Sequence, residues 1–241
     1  AFLDVGQGDC FVADTKSGAI IFDGGSSSED QVGRYRILPY MKYLGYQKIQ
    51  IAVISHMDID HYSGIKELLE MGKIKYLGLP EIPKDETMKK IIGIAKKRGT
   101  TIFYLSRGRQ ITTKDGSLKV LHPQKNSQME KNAASLVMQG KILGYRVLLT
   151  GDVEKEGEEE LLSEELERAD ILKAAHHGSK NSTSNEFLQK VQPKQTVISC
   201  GKQNRYGHPH LETIHRLQTY RTKIYRTDRS GAIIFFKRRD G

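Results

Sequence analysis

The sequence predicts an α/β protein in which strands and helices pack in layers, and three observations carry that prediction. Ile51-Ala52-Val53-Ile54 is a continuous apolar run of strand length, the mark of a strand covered by helices on both faces. Between residues 49 and 104, strand-like and helix-like stretches alternate in a β-α rhythm. Each half also opens β-rich and closes β-α, and Gly-Ala-Ile-Ile-Phe occurs at both Gly18–Phe22 and Gly231–Phe235, which hints at a duplicated sandwich. No linker or low-complexity segment interrupts residues 1–241, so a single domain is expected.

Residues 1–23 read as a β-meander of Phe2–Val5, Cys10–Asp14 and Gly18–Asp23. Asp23-Gly24-Gly25 ends it, and the glycines let the backbone pass close to another element, such as the loop after Ile54. Tyr35, Leu38, Met41 and Leu44 fall at helical spacing with Gly45 as the stop, although Pro39 argues against a regular helix there. Strand Ile49–Ser55 follows, then a helix ending at Glu70, strand Ile74–Leu77, helix Glu86–Arg98 and strand Thr101–Tyr104. Residues 106–121 form a hairpin turning at Lys114-Asp115-Gly116-Ser117, and Ala134–Gln139 pairs with Arg146–Thr150. Helix Glu154–Arg168, strand Ile171–Ala175, helix Ser184–Val191, strand Gln195–Ser199 and helix Leu211–Tyr220 come next, then strands Lys223–Tyr225 and Ala232–Lys237.

With 241 residues the chain buries a full core without disulfides or a structural metal, so a metal here would be functional. Cys10 and Cys200 lie in apolar contexts and read as inert buried thiols. No apolar run is long enough to span a bilayer. The chain begins without Met, inside a strand-like stretch, as a piece of a longer protein would. The formal net charge is +9, unevenly placed. Residues 151–170 hold ten acidic residues against Lys155 and Arg168, whereas residues 200–241 hold ten Lys or Arg against Glu212, Asp228 and Asp240. The basic end suits a polyanion such as DNA, with Lys202, Arg205 and Tyr206 as candidate contacts; ordinary solvated charge is the other reading.

Chemistry concentrates after Ile54, where His56, Asp58, Asp60 and His61 lie within six residues. A tight turn would let all four converge while a helix would spread them. They read either as a metal-binding loop or as a polar loop whose Asp residues, or Ser63, cap the next helix. Two further strand ends carry ligand-type residues: Asp152 after Leu148-Leu149-Thr150-Gly151, and His176-His177 after Ile171–Ala175. Ligands gather beyond the carboxyl ends of strands in α/β sheets. The three ends together supply four imidazoles and three carboxylates, enough for two metal ions bridged by Asp152. His208, beside Pro209 on a loop, reads as a group that swings over the site as general acid or phosphate contact, or else as a cap of the helix at Leu211. Lys173 is expected to point away from the strand end, and His122 and His215 to be structural.

These motifs, in this order, resemble the metallo-β-lactamase superfamily, and within it the C-terminal domains of the ComEC family of bacterial competence proteins. Phe2-Leu3-Asp4-Val5-Gly6-Gln7-Gly8-Asp9 is similar to that branch's opening motif. His56-x-Asp58-x-Asp60-His61 is similar to the superfamily's His-x-His-x-Asp-His, Leu148–Asp152 to its bridging-aspartate strand, and Leu172–Ser179 and Tyr206–Pro209 to the branch's late motifs. The resemblance implies an αββα four-layer sandwich of two mixed sheets flanked by helices. It implies one or two divalent metal ions held by His56, Asp58, Asp60, His61, Asp152, His176 and His177, with Gln7, Asp9, Asp23 and Asn132 in support. Two departures stand out. Asp58 replaces a ligand histidine, and Asn132-Ala133-Ala134-Ser135 stands where a further one is common, which shifts preference from Zn²⁺ toward Mn²⁺ or Mg²⁺.

The activity this implies is metal-assisted phosphodiester hydrolysis, with Asp60 or Asp58 orienting the attacking water. The setting it implies is the extracytoplasmic side of a bacterial membrane channel protein, where one DNA strand is degraded while its companion is imported. Two rivals stand beside it: a stand-alone hydrolase of a small ester or phosphodiester, and a DNA-holding module whose metal site has decayed.

Overall fold

The fold was read from a computed structural model that describes residues 1–130, 132–164 and 166–236. The first sheet holds β1 (Phe11–Thr15), β2 (Gly18–Phe22), β3 (Ile49–Val53), β4 (Ile74–Pro80) and β5 (Thr101–Leu105), in that order. Only the β1/β2 pair is antiparallel. The second sheet has the order β12-β11-β10-β9-β8-β7-β6. Its antiparallel half is β6 (Gln110–Thr113), β7 (Gly116–His122), β8 (Val137–Ile142) and β9 (Tyr145–Leu149); its parallel half continues through β10 (Ile171–Lys173), β11 (Gln195–Ile198) and β12 (Lys223–Arg226).

The sheets face each other across a core of Phe11, Phe22, Val53, Val120, Leu149 and Val197. The outer face of the first sheet is covered by α1 (Leu38–Tyr43), α2 (Ile59–Glu70) and α3 (Glu86–Lys97). The second is covered by α4 (Lys155–Leu162), α5 (Asn185–Val191) and α6 (Leu211–Thr219). A short α7 (Thr227–Ser230) follows β12. The αββα sandwich is therefore present, but the apolar run in β3 has another cause than two helical layers. Ala52 and Ile54 face helices, while Val53 faces the opposing sheet.

Local chemistry explains most boundaries and the departures from expectation. Asp85 caps α3 by accepting from the Met88 amide at 2.7 Å, and Ser184 caps α5 through the Phe187 amide. Pro39 sits in the first turn of α1, where it sacrifices no hydrogen bond, and the turn before it, Gly33–Ile37, is wound more loosely as a π-helix. Phe2–Val5 is not a strand, since Phe2 makes only isolated bridges to Phe11 and Ile233. Residues 232–236 contribute only that bridge, and Lys237 lies outside the described residues. The repeated pentapeptide is thus a strand in one copy only, and does not mark a duplication. Helix α4 ends at Leu162 rather than at Arg168.

Both thiols are free and buried. Burial, then Asp228, pushes Cys200 up to about 12, and burial likewise raises Cys10, so neither forms the thiolate that reacts. Native protein at pH 8 is expected to show no reaction with a chromogenic disulfide, and two equivalents on unfolding in urea; reaction in the native state would show that one strand end opens.

Candidate metal centre

The site is built where the carboxyl ends of β2, β3, β9 and β10 meet the first turn of α2. Backbone hydrogen bonds stitch these segments together. The Gly24 amide donates to the His61 carbonyl at 2.9 Å, the Asp9 amide to the Asp60 carbonyl at 3.0 Å, and the Gly25 amide to the Asp9 carbonyl at 3.1 Å. Such an approach excludes side chains. A Cβ on Gly25 would lie 2.6 Å from the Asp60 carbonyl carbon, and one on Gly8 would lie 2.2 Å from the Gly25 oxygen. The expectation that these glycines admit the ligand loop holds.

Asp60 and His61 are helical residues in the first turn of α2, not members of one tight turn. Asp58 occupies the N-cap position but makes no side-chain cap bond; its Oδ2 lies 3.7 Å from His56 Nε2 instead. Ser63 bonds the Ser26 backbone. Neither residue does the capping job that the polar-loop reading required, and forgoing a cap costs a helix about 1 kcal/mol.

Each of the four histidines has its Nδ1 engaged. His61 Nδ1 donates to Asp23 Oδ2 at 2.9 Å, and His177 Nδ1 to the Ser199 carbonyl at 2.9 Å. Ser55 gives its only hydroxyl proton to Asp23 at 2.8 Å, so its oxygen accepts from His56 Nδ1 at 3.0 Å. His176 Nδ1 pairs with Glu154 at 2.7 Å. This set fixes the tautomers and turns the Nε2 atoms inward, as metal-binding histidines require. The Nε2 atoms of His56, His61 and His177 are buried without a hydrogen bond. Asp152 Oδ2 lies 3.2 Å from His61 Nε2, 3.3 Å from His177 Nε2 and 3.8 Å from His176 Nε2, and Asp60 Oδ2 lies 3.4 Å from His177 Nε2. Inward-facing imidazole nitrogens gathered around two buried carboxylates form a donor set that fits a divalent metal.

The electrostatics agree. Burial would lower His177, but Asp152 and Asp9 push it up to about 10, and Asp152 and Asp23 likewise raise His61 against burial. Burial, then His61, drives His56 well down. Burial would raise Asp60, but His177 and His61 hold it at about 2, so it is anionic at neutral pH and suited to ligation. His176 and His177 both have left-handed backbone, φ 46° and 52°, a strained pairing that clusters at functional sites.

Other expectations change. Asp23 does support the ligand loop from beneath, through His61 and Ser55. Gln7 bonds no histidine; its Oε1 accepts from the Gly201 amide at 3.0 Å and anchors the loop leading to His208. That loop is held at His208, whose amide donates to Asn204 Oδ1 at 2.9 Å and whose carbonyl accepts from Asn204 Nδ2 at 2.6 Å. The His208 ring packs against His176 and His177, with centroids 5.4 and 6.2 Å away. Burial, then His177, lowers it to about 4, so the ring is neutral in the ligand-free site. Asn132 lies outside the cluster, lining a groove with Glu130 and Glu154. Tyr206 stacks on His208, with centroids 5.6 Å apart, and Arg205 covers Tyr206 at 4.8 Å. Lys202 is exposed nearby in sequence. His122 is structural, its Nε2 donating to the Ala133 carbonyl at 2.7 Å.

The largest miss is Lys173. It does not point away; its buried ammonium sits between Asp9 and Asp152 and donates to the Gly151 carbonyl at 2.7 Å. The signal was a lone charge inside Ile171-Leu172-Lys173-Ala174-Ala175. Lys173 takes Oδ1 of Asp152 at 3.3 Å, and the contacts of Asp152 with His61, His176 and His177 are made through Oδ2. Glu154 was also missed.

Comparison with known proteins agrees with this geometry. The model of the metallo-β-lactamase superfamily matches residues 3–202, and the chain belongs to that superfamily. Within it, the chain is a domain of the ComEC-like kind. It is 37% identical over 259 residues to ComE operon protein 3 of Bacillus subtilis, covering 99% of this chain and 33% of that protein. It is 30% identical over 248 residues to the competence protein ComA of Neisseria gonorrhoeae, covering 99% of this chain and 32% of that protein. The chain thus spans about a third of these relatives. The metallo-β-lactamase fold protein YhfI of Bacillus subtilis superposes with TM-score 0.62 at 12% identity, over 93% of this chain and 95% of that one, a likeness of fold.

Two outcomes are expected. Gly25→Ala should cost about 3 kcal/mol in urea unfolding and reduce metal uptake, because the first turn of α2 must move away. Metal binding needs neutral imidazoles, and His61 and His177 hold protons in the metal-free protein, so titration calorimetry in buffers of different ionisation enthalpy should show proton release, and affinity should fall as pH falls.

Proposed function

We propose that this domain is a metal-dependent phosphodiesterase that cleaves DNA, degrading one strand during uptake. The observation that carries the reading is the convergence of the His61 and His177 Nε2 atoms on the carboxylates of Asp152 and Asp60, with the buried His56 ring beside that of His61. His56, His61, His177, Asp60 and Asp152 would hold the first cation, with His176 and Asp58 at the margin toward solvent. A divalent ion there supplies Lewis-acid stabilisation of the phosphate and activation of water. Mn²⁺ is the favoured ion because Asp58 stands where a ligand histidine is usual, with Zn²⁺ or Mg²⁺ as alternatives.

The chain's own groups do the rest. Asp58, 38% exposed, orients the attacking water from the lip of the site, while Asp60 stays an anionic ligand. His208 contacts a phosphate oxygen as a neutral donor. The path of the strand follows charge. Two grooves of about 700 and 620 Å³ share Glu154 and Lys155; the smaller adds Glu130 and Glu156, whereas the larger mixes Glu158, Glu159 and Glu186 with Lys180 and Arg216. The strand runs over Lys202, Arg205 and Tyr206, where the stack of Arg205, Tyr206 and His208 offers a guanidinium and an aromatic ring to backbone and base beside the site.

The name of the relative competence protein ComA supports a role in DNA uptake, and the resemblance to the ComEC family implies a membrane channel protein, with this domain on its extracytoplasmic side, as the setting. Among the described residues no helix is long and apolar enough to cross a membrane.

Labelled single- and double-stranded DNA with Mn²⁺, Mg²⁺, Zn²⁺ or EDTA tests this. Cleavage that requires metal and falls at least about 100-fold in His61→Ala and Asp152→Ala is expected. Salt-sensitive binding without cleavage under any metal would leave a binding module, and activity on small esters alone would move the substrate class.

A further inference from the structure

By proximity alone, Asp9 would count as a metal ligand. One atom each from Asp9, His61, Asp152 and His177 lie within 4.8 Å of one another. The direction of approach says otherwise. Asp9 Oδ2 lies 3.7 Å from His61 Nδ1 and Asp9 Oδ1 lies 3.6 Å from His177 Nδ1, so this carboxylate sits behind both rings. The Oδ2 atoms of Asp152 and Asp60 lie at the Nε2 edges instead. Lys173 Nζ, on a side chain only 5% exposed, contacts Asp9 Oδ2, Asp152 Oδ1 and the Gly151 carbonyl. Three acceptors satisfy its three protons. A buried ammonium persists only when so paired.

We propose that Lys173 and Asp9 form an internal clamp on Asp152, in which the ammonium fixes the carboxylate so that only Oδ2 faces the metal and holds Asp9 out of coordination. Lys173 is then a positioning residue, and Asp9 the counter-charge that lets it stay buried. Without Asp9, one net positive charge would compete with the incoming cation. Without Lys173, two buried carboxylates would repel, and Asp152 could rotate. The proposal rests on the metal reading above.

Three variants decide it: Asp9→Asn, Lys173→Met and the double substitution, each titrated with Co²⁺ by chelator competition and by its visible spectrum. Asp9→Asn should bind as many Co²⁺ ions as wild type, with the same spectrum but a weaker affinity, because the uncompensated ammonium opposes the cation; Lys173→Met should weaken binding about 10- to 100-fold. Should Lys173→Met not fold, the double variant carries the affinity measurement. In the metal-free protein, the two substitutions should be coupled by about fivefold or more in the unfolding constant. Loss of a Co²⁺ equivalent or an altered spectrum in Asp9→Asn, or unchanged affinity without Lys173, overturns the proposal. If wild type binds no Co²⁺, the metal reading falls, and the unfolding constants alone decide the clamp: additive effects overturn it.

Discussion

The backbone stitch between Asp9, Gly25 and the first turn of α2 is the constraint on which the rest of the site depends. Three main-chain hydrogen bonds at 2.9 to 3.1 Å join segments from the N-terminus, the end of β2 and the start of α2. They form only because Gly8 and Gly25 present no side chain to the approaching peptide groups. Once they form, Asp9, Asp23 and His61 are placed together by rigid backbone, and their side chains need little further adjustment. Helix α2 gains direction from the same contact, since the Ile65 amide donates to the Gly24 carbonyl at 2.9 Å.

Around that frame, the site is organised from its outer layer inward. Asp23, Ser55, Ser199 and Glu154 hold four Nδ1 atoms, and this decides where four Nε2 atoms point. A buried imidazole with one edge anchored and the other bare is a ligand in waiting. The same low-dielectric setting makes the neighbouring carboxylates count strongly, and they raise His61 and His177 against the effect of burial. Charge is segregated on the outside as well, with carboxylates along α4 and basic and aromatic groups on the loop that carries His208.

Residues with period, punctuation or unusual clustering were legible in the sequence. The β-α alternation from Ile49 to Leu105 follows from apolar spacing and caps, and the strand ends carrying His56–His61, Asp152 and His176-His177 announce themselves as breaks from apolar to ionisable sequence. Element ends were less legible. Phe2–Val5 and the second Gly-Ala-Ile-Ile-Phe carry strand-forming residues but find no continuous partner, because pairing depends on which edge is free and not on propensity. Helix α4 stops early although its acidic sequence continues.

The sequence by itself determined the layered α/β class, the ligand-bearing strand ends and the glycines that permit close approach, because each is a local property of residue type and spacing. Only the tertiary structure decided which imidazole edge faces inward, that Asp9 stands behind the rings, and that Lys173 reaches into the site. Those are questions of direction between segments up to 194 residues apart, as in the Gln7–Gly201 bond. Local rules fix the face on which a side chain lies, but its partner across the fold depends on how the two sheets are packed.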